Sequence, residues 1–458
     1  MIRNAGSHWV TKERKDMLKR KIYEKLLEWK SSHSKECLLV KGARQIGKTY
    51  IIDYFGKRNY SSYLPLNFIL NPETRDIFAG SLDADEIFKA ISIQFPHFRL
   101  VPGDTLLFLD EIQSCRKART ALKSLALDGR ADVVASGSLL GINFLDDDAR
   151  RAEDRRAESV PVGYERQMLM HSLDFEEYLW AGGYGDDAIG LLREAFETCT
   201  AVPPAGHAKM ARMFREYLVN GGMPEVVDRF FATGNFGEAH DIQSKILASN
   251  LDDIARYASN AEKPKIRACY LSIPAQLARE NRKFKFSAVE HGGSARKFGN
   301  SVDWLRESSL ALPCHNLAEP AMPLAVYANP DMFKMYVSDV GILCAMMGFQ
   351  VKKSIVDDTW KGFAKGGLYE NAVMGQLVRR GYQPFYYRPK SNLTEIDFLI
   401  ERNGSVTPVE VKAGRDASRS FDRLLEREDI ETGFKFVNGN VGRTGKKITL
   451  PHYMSMFV

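Results

Sequence analysis

Residues 42 to 49 read Gly42, Ala43, Arg44, Gln45, Ile46, Gly47, Lys48 and Thr49, a G-x-x-x-x-G-K-[ST] spacing. An apolar run, Cys37 to Val40, precedes it, and Tyr50-Ile-Ile-Asp-Tyr-Phe continues from it as a helix. Strand, glycine loop and helix in that order make a cradle for a triphosphate. Gly42 and Gly47 let the loop curl so that successive N–H groups and the helix N-terminus face phosphate oxygens. Lys48 is placed to reach the β- and γ-phosphates, and the Thr49 hydroxyl to ligate Mg²⁺. Further along, Thr105-Leu-Leu-Phe-Leu-Asp110-Glu111 is an apolar run ending in two acids. A buried parallel strand delivers carboxylates to its C-terminal edge in this way. Asp110 would hold Mg²⁺ through water and Glu111 would polarise an attacking water. A third apolar run, Ala131 to Ala135, ends in Ser136-Gly-Ser138, hydroxyls suited to sensing a γ-phosphate, although Ser-Gly-Ser is also an ordinary turn.

A second group of chemically able residues lies near the C-terminus, in Glu395-Ile-Asp397-Phe-Leu-Ile-Glu-Arg-Asn403-Gly404-Ser-Val-Thr-Pro408-Val-Glu410-Val-Lys412. Asn-Gly is a strong signal for a type I′ hairpin, and a two-residue loop sets Asp397 opposite Glu410. Opposed carboxylates repel unless something neutralises them. A divalent cation, a second Mg²⁺ or Mn²⁺, would do so at Asp397 and Glu410, and Lys412 would position or activate a water for attack on a phosphodiester. Glu370, on a predicted amphipathic helix, would bring a third carboxylate. Pro408 predicts a bulge or an edge strand.

The elements that position these groups divide the chain into three parts. Residues 17 to 30 form a lead-in helix whose apolar face is explained by core packing. The strands and helices up to DFEEYLWAGGY at 174 to 184 form an α/β unit, interrupted by a charge-dense insertion at 146 to 158. Residues 208 to 350 are expected to be mainly helical. Within them, Gly221-Gly-Met-Pro224 resembles the Gly-x-Pro helix entry that signal-transduction ATPases of the STAND type rest against adenine, while a helix entry without a ligand has the same pattern. Phe284 to Leu312 resembles a winged helix-turn-helix, with Arg296 and Lys297 opening its longer helix.

Apolar residues make up 44% of the 458-residue chain and charged residues 27%, an ordinary globular balance. No apolar run approaches the ~20 residues of a membrane span, and no signal peptide is recognisable, so no membrane partner is expected. The six cysteines are scattered without a C-x-x-C pair, as reduced cytosolic thiols would be. Net charge is +6, and residues 350 to 458 hold 18 Lys and Arg against 13 Asp and Glu. That basic excess is compatible with a nucleic-acid partner and equally with an ordinary solvated surface.

Taken in order, GARQIGKT, LLFLDE, the Ser-Gly-Ser tip, DFEEYLWA, GGMPE, YVSDVGIL, YENAV, EIDFLI and PVEVKAG resemble the prokaryotic AAA-type ATP-binding proteins with a winged-helix region and a C-terminal PD-(D/E)xK nuclease-like domain. The resemblance implies an ASCE P-loop parallel sheet with helices on both faces over residues 1–204. It further implies a helical and winged-helix domain over 205–350 and an α/β nuclease-like domain over 351–458. It also implies ATP and Mg²⁺ as cofactors and a cytoplasmic location, and it is compatible with DNA or RNA as partner without settling the biological role. No arginine finger is recognisable, so an oligomer is neither required nor excluded. Three outputs are compatible with this plan: a nucleotide-switched module acting on nucleic acid, an ATP-regulated metal-dependent nuclease, and a nucleotide-switched protein-interaction scaffold.

Overall fold

The computed structural model describes residues 18–32, 36–138, 163–389, 395–414 and 418–458. The charge-dense stretch at 146 to 158 lies outside the described residues. Five parallel strands, β1 (Cys37–Gly42), β2 (Ser62–Asn67), β3 (Thr105–Asp110), β4 (Asp132–Ser138) and β5 (Glu165–Met170), form a sheet in the order β2-β3-β4-β1-β5. Side chains alternate across a strand, and here the alternate residues enter two separate cores. Leu38, Val40, Leu106, Phe108 and Val134 pack with Ile51, Ile52 and Phe55 of the Lys48–Asn59 helix and with Leu26 and Trp29 of the Lys21–Ser31 helix. Leu39, Leu107, Leu109, Val133 and Ala135 pack on the other face with the Ala84–Gln94 and Arg116–Asp128 helices. Both faces are covered, which is why β3 is buried throughout, with four consecutive apolar residues rather than an alternation.

From 204 to 307 the chain is helical, in line with expectation, but 311 to 337 is not. There, β6 (Ala311–Leu317) and β7 (Ala328–Val337) form an antiparallel hairpin. It joins β8 (Phe385–Tyr387), β9 (Ile396–Arg402), β10 (Ser405–Val411), β11 (Gly433–Val437), β12 (Gly442–Thr444) and β13 (Lys447–Pro451) in one mixed sheet, ordered β12-β13-β11-β10-β9-β8-β6-β7. Strand pairing therefore runs through the boundary expected at 350. The Asn403-Gly404 turn has φ of +51° and +78°, and its register, Ser405 with Arg402 through Val409 with Phe398, continues to oppose Asp397 and Glu410. Pro408 neither bulges nor lies at an edge. Its missing N–H shares the direction of Lys412 N, which donates to Phe436 O, but pairing with β11 begins only at Val409.

The two sheets meet at a junction of very short approaches. Leu173 N donates to Gly222 O at 2.7 Å, and Gly222 N donates to Asp339 Oδ2 at 2.9 Å. Asp339 also accepts from Ser172 Oγ at 2.8 Å and caps the Val340–Met346 helix through Gly341 N. A Cβ on Gly222 would stand 1.9 Å from Leu173 O, and one on Gly221, whose φ is +70°, would stand 2.1 Å from Asp339 Oδ1. The Phe363–Arg379 helix docks beside this point, with Arg379 donating to Ser172 O at 3.1 Å and Gln376 accepting from Phe175 N at 3.3 Å.

Gly222→Ala is expected to lower stability by about 3 kcal/mol, the upper end for overpacking a rigid site, as read from urea unfolding. A variant as stable as wild type would show that the junction yields at little cost.

Candidate nucleotide site and carboxylate cluster

The phosphate loop hangs between β1 and the Lys48–Asn59 helix, with Gln45 at φ +60° and Gly47 at φ +88° giving the curl. Lys48 Nζ lies inside it, donating to Gly42 O at 3.0 Å and Ala43 O at 2.7 Å. Burial lowers its pKa to about 8 against the pull of Glu111 and Asp110, so an anion in the loop would stabilise its charge. Asp110, at the tip of β3, is buried and accepts from Thr49 Oγ1 at 3.0 Å, Asn67 Nδ2 at 2.7 Å and Ser136 Oγ. A hydroxyl oxygen and a carboxylate side by side form a hard-oxygen donor set that fits Mg²⁺. Thr49 and Asp110 would hold it, and the ion would supply charge neutralisation at the β- and γ-phosphates. Glu111 has φ +55°, strained for a residue with a Cβ, and its carboxylate accepts from the Gln113 amide.

Two contacts bring the middle segment to this loop. A Cβ on Gly47 would lie 3.8 Å from the Pro224 ring, so the Gly-Gly-Met-Pro entry rests against the loop's last turn. Arg44 pairs with Asp253 at 2.9 Å and donates to Tyr257 Oη at 2.8 Å, both on the Phe236–Tyr257 helix. Burial raises the Asp253 pKa, while Arg44 and Arg256 oppose that rise.

In the second sheet, Glu370, Asp397, Glu410 and Lys412 do converge, but around a cation already present. Lys334 of β7, fully buried, lies 2.7 Å from Glu370, 2.7 Å from Glu395 and 3.7 Å from Asp397. Burial alone would lower its pKa; Glu370, Glu395 and Asp397 carry it well above the usual value. Arg282 takes the other oxygen of Glu370 at 2.5 Å, and Tyr336 donates to the first. Despite burial, Arg282 and Lys334 hold Glu370 down at about 2. Both oxygens of Glu370 are thus engaged by Arg282, Lys334 and Tyr336, and a turn toward a metal would compete with these partners. Asp397 and Glu410 differ from it. Lys412 pairs with Glu410 Oε1 at 2.7 Å and Ser418 donates to the same oxygen at 2.6 Å, while Glu410 Oε2 is buried with no hydrogen-bond partner among the described residues. Asp397 Oδ2 accepts from Val411 N at 2.9 Å, and burial, then Glu410 and Glu370, push its pKa up to about 8. Among the described residues no group of three or more His, Cys, Asp or Glu is arranged to hold a metal ion.

Each expected nucleotide-site residue lies in or beside the loop, Ser138 included, since its strand position pairs with Gly42. Asn67 was not anticipated; it reaches Asp110 because β2 and β3 run parallel in a register that pairs the two. Arg20 was not anticipated either. It donates to Ile46 O at 3.0 Å and His171 O at 2.6 Å and pairs with Glu177, pinning the phosphate loop to the end of β5. It falls inside the stretch expected as the lead-in helix, which in fact starts at Lys21, so no sequence signal set it apart. Arg119 pairs with Glu165, and Arg130 with Asp128 and Asp85. Arg282 and Lys334 complete the carboxylate cluster from segments distant in sequence, and Glu395 joins it from the start of β9's own segment.

A β2-β3-β4-β1-β5 parallel sheet with the phosphate loop after β1 and an Asp-Glu pair at the tip of β3 defines the P-loop ATPase fold. Residues 34–179 match the family model described as AAA domain, and the chain carries an AAA-type P-loop ATPase. Residues 211–353 match a domain of unknown function (DUF8612), and 365–451 another (DUF4143). No curated protein matches the chain. Among solved structures, the Walker-type ATPase PABY2304 of Pyrococcus abyssi is similar at 14% identity, over 73% of this chain and 97% of that one, with a TM-score of 0.43. A STAND protein with a tetratricopeptide repeat sensor, PH0952 of Pyrococcus horikoshii, is similar at 11% identity over 80% of this chain and 50% of its own, with a TM-score of 0.25. Drosophila ORC bound to DNA follows at 14% identity, 72% and 85% coverage and a TM-score of 0.22. Among the described residues no helix is long and apolar enough to cross a membrane.

Removing the central cation leaves buried carboxylates uncompensated, which costs about 3–5 kcal/mol. Lys334→Met is therefore expected to unfold at much lower urea than wild type; an unchanged midpoint would mean that the cluster does not need its lysine.

Proposed function

We propose that this ATPase uses its nucleotide state to control a nucleic-acid-binding module built from the winged-helix-like and nuclease-like parts of the chain. The observation that carries the reading is the Arg44 contact. A phosphate-loop arginine held by Asp253 and Tyr257 is one that incoming phosphate competes for, and its release leaves Asp253 buried without its partner. Nucleotide thereby gains different affinities for two arrangements of the middle segment, the requirement for any switch. Pro224 beside Gly47 supports a place near the base for the Gly-Gly-Met-Pro entry. The Lys263–Leu277 helix, the 3₁₀ turn at Phe286–Ala288, the Ala295–Glu307 helix and the β6–β7 hairpin follow the order of a winged helix. Exposed Arg296 and Lys297 sit at the start of its longer helix, and Lys297 pairs with Glu290. On this reading residues 1–204 are the nucleotide unit. Residues 205–350 and 351–458 respond together, because strands of both build one sheet.

One observation favours a second reading, metal-dependent cleavage. The unpartnered Glu410 Oε2 beside a carboxyl with a raised pKa is relieved by a proton or by a divalent cation, which Asp397 and Glu410 would share without Glu370.

DNA affinity measured with and without Mg·ATP is expected to differ by about fivefold or more in wild type, the lower range of allosteric coupling. The difference should vanish in Arg44→Gln and Asp253→Asn while both still bind ATP, and Lys48→Ala should bind none. Equal wild-type affinity in the two conditions would sink the switch. Incubation with Mn²⁺ and single- or double-stranded DNA or RNA decides the second reading: products formed by wild type and lost in Asp397→Ala support it, and identical behaviour ends it.

A further inference from the structure

Behind the carboxylate cluster, on the outer side of the same two segments, lies a cavity of about 620 Å³. Phe284 N donates to Phe333 O at 2.8 Å, and Lys283 bridges to Lys334, so residues 283–284 run antiparallel to β7 as a short extra strand. Strand alternation sends neighbours to opposite sides. Along β7, Lys334 reaches inward to Glu370 whereas its neighbour Phe333, opposite Phe284, lines the cavity, with Lys283 beside it. Its walls are aromatic. Phe284 stacks on Phe333 with centroids 5.5 Å apart, Phe286 meets Phe333 edge-on at 6.1 Å, and the His315 ring lies 5.7 Å from Phe333. Its rim carries Lys283, Lys285 and Arg306 against Asp303 and Asp331. His315 Nδ1 is buried there with no hydrogen-bond partner among the described residues.

We infer that this cavity takes an unpaired base of a single-stranded nucleic acid. Phe286 is half-buried, stacked on Phe298 and backed by the core rings of Phe284 and Phe333, and its outer side offers the aromatic surface a base stacks on, while flanking cations follow the backbone. His315 Nδ1, without a hydrogen-bond partner among the described residues on a ring whose pKa burial lowers, is the polar atom with which a base edge would pair. A duplex keeps its bases stacked on one another and cannot use such a cavity, so the site separates single strand from duplex. The inference rests on the nucleic-acid reading above and adds a ligand class and a location to it.

The test is fluorescence anisotropy of the full chain with labelled oligothymidylate, oligouridylate and a duplex of equal length. Phe286→Leu, which keeps apolar packing but loses the stacking face, is expected to weaken single-strand binding about tenfold and leave duplex binding unchanged. Lys283→Gln with Lys285→Gln should reduce the salt slope for the single strand by about 0.7 per lysine. Both oligonucleotides binding alike marks the base and phosphate as the shared determinants; oligouridylate alone binding would assign the site to RNA. In wild type, a 5-iodouracil oligonucleotide should photo-crosslink to peptides containing Phe286, His315 or Phe333. Crosslinks confined to other peptides, or single-strand affinity unmoved by Phe286→Leu, would overturn the site while duplex binding kept the broader reading intact. Binding of neither strand nor duplex would overturn both.

Discussion

The contact on which the arrangement of the molecule turns is the approach of Gly222 to Leu173 under the carboxylate of Asp339. Three chain segments far apart in sequence reach one point, and only backbones without side chains can come that close. Asp339 turns the crowding into bonding. It accepts from Ser172, from Gly222 N and from the first turn of the helix it caps. Because Pro224 follows two residues later, fixing Gly222 against the end of the first sheet also sets the proline beside Gly47. The same fixed point orients the helices that carry Asp253 and Glu370.

Charge is handled differently at the two sites. At the phosphate loop, Lys48 and Asp110 have weakly committed neighbours: Lys48 its own loop carbonyls, Asp110 hydroxyls and an amide. Such partners are readily exchanged for phosphate and Mg²⁺, and the fold keeps them close without neutralising them. The second sheet instead brings its own cations, Arg282 and Lys334, into the carboxylate cluster. A buried ion group with its countercharge supplied internally holds the β6–β7 hairpin to the Phe363–Arg379 helix. Asp397 and Glu410 keep part of the repulsion that opposed carboxylates carry, since Lys412 and Lys334 oppose it without removing the rise in the Asp397 pKa.

How much of this was legible in the chain itself follows from the range of each interaction. The phosphate loop, the buried strands, the Asn403-Gly404 turn and its register are local, decided within a few residues by glycine freedom and alternating polarity, and sequence patterns identify them. Glu370, Asp397, Glu410 and Lys412 could be picked out because hairpin geometry relates three of them. Their electrostatic condition could not, because it depends on Lys334 and Arg282, whose approach requires a hairpin from one region to join a sheet from another. For the same reason Pro408 was misjudged: its fitness depends on where β11 begins to pair.

Sequence by itself therefore determined that this chain binds a triphosphate in a parallel α/β sheet and carries a charged hairpin near its C-terminus, since glycine spacing and apolar runs act over short distances. Only the tertiary structure decided which partners those charges have. Asn67 comes to Asp110 by strand register, Arg44 to Asp253 by helix placement, and Lys334 to Glu370 by burial in a shared sheet. Coulombic and hydrogen-bonding partners are chosen by distance in space, and distance in space is what folding, not spacing along the chain, settles.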